Sequence, residues 1–303
     1  MFRKHDNQKK PPLPKYYIVI YAVLLSIFFI SAYKLIQYYY NNYEAERLVD
    51  NLTQEKEETE KITDEMLSPR TSSIDPLPTA SPSLPLSLDL LPEGSNTKME
   101  IDESKILTPY RELYKENNDL AGWITIPGTK IDYPVMYTKD DNTTYLHTDF
   151  QGKTGSRPGC IFIDGRSNFF EKKVSSNLIL YGHNMKIGTM FHDLMNYKLE
   201  SYYLAHPVIR FDSIYEIGTY DILAVFPFDI ESTENIPDFL YYNYYNVSNE
   251  KEFNKYLAGI QTLSLYDTGI SAQWGDQLIT LSTCAEYDLN TTKRFVVVAK
   301  KRK

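Results

Sequence analysis

Apolar positions fall into four regimes along the chain. From Tyr16 to Tyr33 the run YYIVIYAVLLSIFFISAY holds no charge and lies between Lys15 and Lys34. It is long enough to cross the hydrocarbon of a bilayer as a helix, and its terminal tyrosines suit the two interfaces. Residues 41–67 are rich in Glu and Lys and read as a short exposed helix or a disordered segment. Residues 68–98 hold six of the 16 prolines among many serines. Neither helix nor strand survives that spacing, so this stretch is a semi-extended linker that holds a domain away from the membrane.

From about residue 101 the pattern becomes that of a folded domain. IDESKILTPYRELYKENNDLAGW gives helical pieces ending near Asn117 and Asn118. Eight short apolar runs follow: WITIP (123–127), IDYPVM (131–136), CIFID (160–164), NLILY (177–181), PVIRFD (207–212), TYDILAVF (219–226), QLITLST (277–283) and RFVVVAK (294–300). They are β-branched and aromatic, partly alternating, and punctuated by Gly, Asn, Asp and Pro. So many short strands in under 200 residues predict a closed barrel or a sandwich. One helix interrupts them. Ser248 or Asn249 can cap it, Glu250 and Glu252 suit its dipole, and Phe253, Tyr256, Leu257 and Ile260 share one face that packs on the barrel.

Charge orients the chain. Arg3, Lys4, Lys9, Lys10 and Lys15 precede the apolar run, while Glu44 and Glu46 follow it. The positive-inside rule keeps the N-terminus in the cytoplasm and exports the rest. No clean A-x-A site follows the run, which favours an uncleaved anchor over a signal peptide. Of 32 Lys and Arg, six lie in residues 1–40, leaving 26; of 40 Asp and Glu one does, leaving 39. An exported, acidic body is a poor partner for nucleic acid. The expected organisation is a basic cytoplasmic tail (1–15), an anchor (16–36), a linker (37–100) and one folded domain (101–303).

Only two cysteines occur, Cys160 and Cys284. They could pair as a disulfide, or one could be structural and the other reactive. Cys284 ends the run QLITLST, where a strand gives way to a loop. His183 follows NLILY, and Arg294 opens the last strand ten residues after Cys284. Ten residues is a natural length for a loop joining neighbouring strands, so Cys284 and Arg294 could share one barrel rim. A nearby His and Arg favour the thiolate, His can protonate a leaving amine, and Arg can hydrogen-bond a developing oxyanion. Taken singly each has a bland reading: a buried thiol, a surface imidazole, a solvated charge. Cys160, in the apolar run CIFID, reads as a small buried residue; His147, His192 and His206 have no assigned role.

Together these strings resemble the sortases, and class B most. The resemblance rests on TLSTC (280–284) with TTKRFVVVAK (291–300), on YGHNM (181–185) with TMFHDLMNY (189–197), and on NNDLAGWITIPGTKIDYPVM (117–136). The helix at 249–263, between the strands at 219–226 and 277–283, matches an insertion that separates class B from class A. The likeness covers about residues 101–300. It implies a mainly β fold, a closed sortase-type barrel of about eight strands with peripheral helices, after the N-terminal transmembrane helix.

The resemblance also implies roles. Cys284 is the nucleophile, His183 the acid/base and Arg294 the oxyanion stabiliser. Asn142, Leu146, Tyr181 and Ser282 match groove residues. Thr233 and Ile236, in ESTENIP (231–237), match the loop over the peptide, although the segment lacks the aromatic that the best-known members carry there. Neither metal nor cofactor is implied, and no acidic cluster of the calcium-binding kind is evident. The implied reaction cleaves a sorting-signal peptide of a secreted protein after Thr, through a thioester. It then joins the protein to an amine of a peptidoglycan precursor at the outer membrane face. Two rivals remain: pilin polymerisation, against which the absence of a lid with a D-P-x motif argues, and a catalytically silent surface protein that binds peptide.

Overall fold

Each of the eight apolar runs forms a strand. They are β1 (Leu120–Thr125), β2 (Asp132–Met136), β3 (Ile161–Ile163), β4 (Asn177–Tyr181), β5 (Val208–Ser213), β6 (Thr219–Asp229), β7 (Leu278–Cys284) and β8 (Lys293–Lys301). The computed structural model describes residues 15–67, 102–170, 173–232, 236–285 and 291–303. The strands close into a barrel in the order β1-β2-β3-β4-β7-β8-β6-β5, with β5 returning antiparallel to β1. Closure leaves no sheet edge to pair with another chain. The β2–β3 and β4–β7 pairs are parallel. Among the described residues four α-helices accompany the strands: α1 (Lys15–Leu67), α2 (Arg111–Glu116), α3 (Glu200–Ala205) and α4 (Glu250–Leu263).

The barrel interior is one apolar cluster that includes Ile124, Val135, Ile161, Leu180, Leu281 and Val297, all fully buried. A second cluster lies outside it, under α4. Asn249 caps this helix through its side-chain oxygen, which accepts from Glu252 N at 3.0 Å. Phe253, Tyr256, Leu257 and Ile260 pack against Ala224, Phe226, Val296 and Val298. β8 is therefore buried on both faces, with Phe295, Val297 and Ala299 inward and Val296 and Val298 under the helix. That is why RFVVVAK reads as an unbroken apolar run rather than an alternating one.

Two units divide the chain, Met1–Ala45 and Glu46–Lys303. In the first, the tyrosine-flanked run of α1 is exposed along its length and is long and apolar enough to span a membrane. In the second, the charged stretch of α1 is not a free helix. Leu52 is only 3 % exposed, in a cluster with Tyr110, Leu113 and Trp123, and Leu48 packs beside it. Lys56 Nζ lies 4.9 Å from the centre of the Trp123 ring. The Glu/Lys composition hid this contact, because two leucines and the ammonium of one lysine carry it.

At Gly122, opposite Ser213, β1 passes close against β5. A Cβ there would sit 1.9 Å from Asp212 O. Gly122→Ala is expected to cost about 2 kcal/mol through forced strand separation, roughly 6 °C of Tm in a unit of this size. A thermal melt with an unchanged midpoint would remove the claim that β1 and β5 need this contact.

Candidate active site

The site begins with strand register. In the antiparallel β7–β8 pair, Cys284 lies directly opposite Arg294. Directly opposed residues project from the same face, with Cβ atoms about 4.5–5.5 Å apart. Cys284 and Arg294 thus stand side by side at the rim. Arg294 Nη1 donates to Thr291 O at 2.7 Å and to Lys293 O at 3.1 Å, which fixes the plane of the guanidinium.

His183 arrives from the other side of β7. The parallel β4–β7 ladder runs to Tyr181 opposite Ser282 and continues as a stitched loop. Gly182 N donates to Ser282 O at 3.2 Å, and Thr283 Oγ1 donates to Gly182 O at 2.8 Å. Asn184 Nδ2 donates to the carbonyl of Cys284 itself at 3.0 Å, and His192 Nδ1 lies 2.9 Å from Asn184 Oδ1. Gly182 has no room for a side chain, since a Cβ would lie 2.4 Å from Ile161 Cδ1 and 2.7 Å from the Phe191 ring.

His183 Nε2 sits 3.0 Å from Leu146 O. A carbonyl only accepts, so Nε2 carries hydrogen and Nδ1 is the open nitrogen of the neutral ring. The imidazole's pKa is lowered, first by burial and then by the nearby His147 and Arg157, against the opposing bond to Leu146 O.

A groove with a cavity volume of ≈ 330 Å³ joins these three residues, lined also by Asn142, Leu146, Tyr181 and Ser282. Below it lies a polar hub that sequence reasoning missed. The Asp164 side chain is fully buried and pairs with Arg166 at 2.6 Å. It accepts from Tyr181 Oη at 3.0 Å and from Asn142 Nδ2 at 3.3 Å. Arg166 Nη2 also donates to Tyr242 O at 2.8 Å. Burial works against ionisation of Asp164, but the bonds from Arg166 and Asn142 outweigh it and hold the carboxyl below the ordinary range. Burial and Asp164 together push the Tyr181 phenol well up. Tyr241 Oη lies 2.8 Å from Ser282 Oγ, and burial pushes this phenol up to about 12. The visible signal for the hub was an Asp at a strand exit, two residues before an Arg.

Of the remaining expected positions, Ile236 packs against the cluster under α4, whereas Ile230 and Tyr242 line the groove there. Thr233 lies outside the described residues. Both cysteines are free. Cys160 is buried on the groove wall, and burial pushes its thiol far up.

The chain matches the Sortase domain family over residues 124–302. It is 33% identical to Sortase B of Staphylococcus aureus (strain NCTC 8325 / PS 47) over 202 residues, covering 67% of this chain and 78% of that protein. The solved Staphylococcus aureus sortase B–substrate complex is similar at a TM-score of 0.57 and 31% identity, over 65% of this chain and 86% of that one. A sortase B complexed with triglycine is similar at 0.57 and 32%, over 64% and 86%.

Asp164→Asn should loosen the groove floor without touching Cys284. Because the carboxyl is depressed on folding, its contribution is present above about pH 4 and lost as pH falls through the lower folded value. The variant should lose about 2–3 kcal/mol at pH 7, and the gap from the parent should narrow in acid. Equal urea midpoints for the two proteins at pH 7 would dismiss the hub.

Proposed function

The chain belongs to the sortase family, as a class B cysteine transpeptidase, and we propose that Cys284, His183 and Arg294 carry its chemistry. The observation that carries this reading is the pairing of Cys284 with Arg294 across β7–β8, with the loop of His183 bonded to the carbonyl of Cys284. No other described cysteine is partly exposed beside an Arg and a His.

In this proposal the thiol of Cys284 gives its proton to His183 Nδ1, the nitrogen that Leu146 O leaves open. The sulfur attacks the carbonyl carbon of the Thr in a sorting-signal peptide. A C–S bond forms, and Arg294 donates hydrogen bonds to the carbonyl oxygen as it becomes negative. His183 then gives its proton to the departing amine as the C–N bond breaks, leaving a thioester. An amine of a peptidoglycan precursor attacks the thioester. Its nitrogen bonds to the carbonyl carbon, the C–S bond breaks, and the proton released returns to the Cys284–His183 pair. The solved sortase B complexes with a substrate and with triglycine support a peptide donor and an amine acceptor. Asn142, Leu146, Tyr181 and Ser282 line the groove and serve as peptide contacts.

The apolar run of α1 anchors the enzyme, with its basic N-terminal flank in the cytoplasm and the barrel outside. Secreted clients bearing sorting signals and a lipid-linked acceptor then meet the groove at the outer membrane face.

Peptide cleavage by purified protein tests the assignment. Cys284→Ala should abolish it, and Cys160→Ala should keep most of it; a folded but dead Cys160→Ala protein would overturn the choice of nucleophile. Arg294→Lys should lower kcat by about 10²-fold, since lysine keeps the charge but loses the planar donors. A near-parental rate would assign Arg294 a charge effect only. A chain starting near residue 100 retains every groove residue but exposes Trp123. It should cleave peptide with a lower Tm, and an equal Tm would mean that Leu52 and Lys56 contribute nothing.

A further inference from the structure

His147 is exposed and follows Leu146 at the groove wall. Its ring is stacked on that of His183, with centroids 5.8 Å apart and planes 19° from parallel. That separation lies within the range of offset stacking between rings. The carbonyl of the preceding residue accepts from His183 Nε2. Two consecutive residues therefore hold one imidazole, Leu146 in its plane and His147 on its face.

We propose that His147 is a positioning residue for His183, holding the ring by stacking and coupling its protonation to the acidity of the medium. The physical reason is that two imidazoles at this distance do not both take a proton freely, because each charge opposes the other. His147 and Arg157 are the charged groups that act on His183, while Cys284, Arg294, Tyr181 and Tyr241 share its groove. Tyr181 and Tyr241 stay neutral at working pH, because burial raises both phenols. Imidazoles change charge between pH 5 and 8. A proton on His147 disfavours one on His183, and that coupling answers directly to solvent because His147 faces it.

The consequence for turnover rests on the proposed role of His183, but the stacked pair itself does not. The test therefore reads both. In the full chain in detergent micelles, with histidine labelled at Cε1, the NMR titration midpoint of His183 is measured beside the pH profile of kcat/KM for peptide cleavage. His147→Gln removes ring and charge; His147→Phe keeps a ring without charge. Both should raise the His183 midpoint by roughly half a unit, the size of a water-screened interaction at this spacing. The limb of the rate profile that reports His183 should move up equally. At its pH optimum His147→Phe should keep kcat, while His147→Gln loses about 5-fold from a less ordered ring. An unmoved midpoint in both variants overturns the coupling, and equal kcat for Gln and Phe overturns the positioning. A moved midpoint with an unmoved rate profile upholds the His147–His183 pair and instead removes His183 from the reaction.

Discussion

Everything at the rim depends on the register between β7 and β8. Seven matched pairs run from Leu278 opposite Lys300 to Cys284 opposite Arg294. Side chains alternate faces along a strand, so a slip of one residue would send either the thiol or the guanidinium to the wrong side. The register is held by what each face of β7 needs. Ile279 and Leu281 point into the apolar interior. On the other face, Thr280 Oγ1 donates to Asn177 Oδ1 at 2.9 Å and lies 3.1 Å from Tyr256 Oη, and Ser282 meets Tyr241. A slipped strand would drive these hydroxyls into the interior without partners, at about 1–3 kcal/mol each. Helix α4 therefore acts on the site from a distance. By supplying Tyr256 and covering the outer face of β8, it makes one register far better than its neighbours.

The parallel β4–β7 pair adds the third member by the same logic, with a different kind of fastening. Past Tyr181 the strand ladder ends, and single hydrogen bonds from Gly182, Thr283 and Asn184 carry the alignment on to His183. Such bonds are worth about 0.5–1.5 kcal/mol each, so the imidazole is placed by fewer contacts than the thiol or the guanidinium. Leu146 O and the His147 ring supply the rest. The turn at 144–147 is consequently part of what positions His183, although it belongs to no strand.

Much of this was legible along the chain, for identifiable reasons. All eight strands were announced by β-branched runs, and the helix at 250–263 by its cap and its apolar face, because local pattern and tertiary burial agree there. Cys284, His183 and Arg294 were found through strand ends and a ten-residue spacing, and the resemblance to sortases gave them roles. What stayed hidden depends on contacts between distant segments. Asp164 and Arg166 look like ordinary turn residues until Tyr181, Asn142 and Tyr242 converge on them. Leu52 looks like a stray apolar residue in a charged helix until Trp123 meets it. Ile236 and Ile230 lie six positions apart, and composition alone does not say which one reaches the groove.

The groove thus sits between two electrostatic settings that answer differently to acidity. Its floor is an ion pair, Asp164 with Arg166, whose carboxyl is held below the ordinary range and so stays ionised through neutral and mildly acidic conditions. Tyr181 and Asn142 hang from that carboxylate, so the shape presented to a peptide is the same across this range. The rim is different, because the His183 ring has its proton affinity lowered by burial and lies against a second, exposed imidazole. Acidification changes the charge at the rim while leaving the floor intact. On the proposed assignment, the floor that shapes the groove and the imidazole that moves the proton therefore answer to acidity separately, so the rate of acyl transfer follows the medium while the groove keeps its shape.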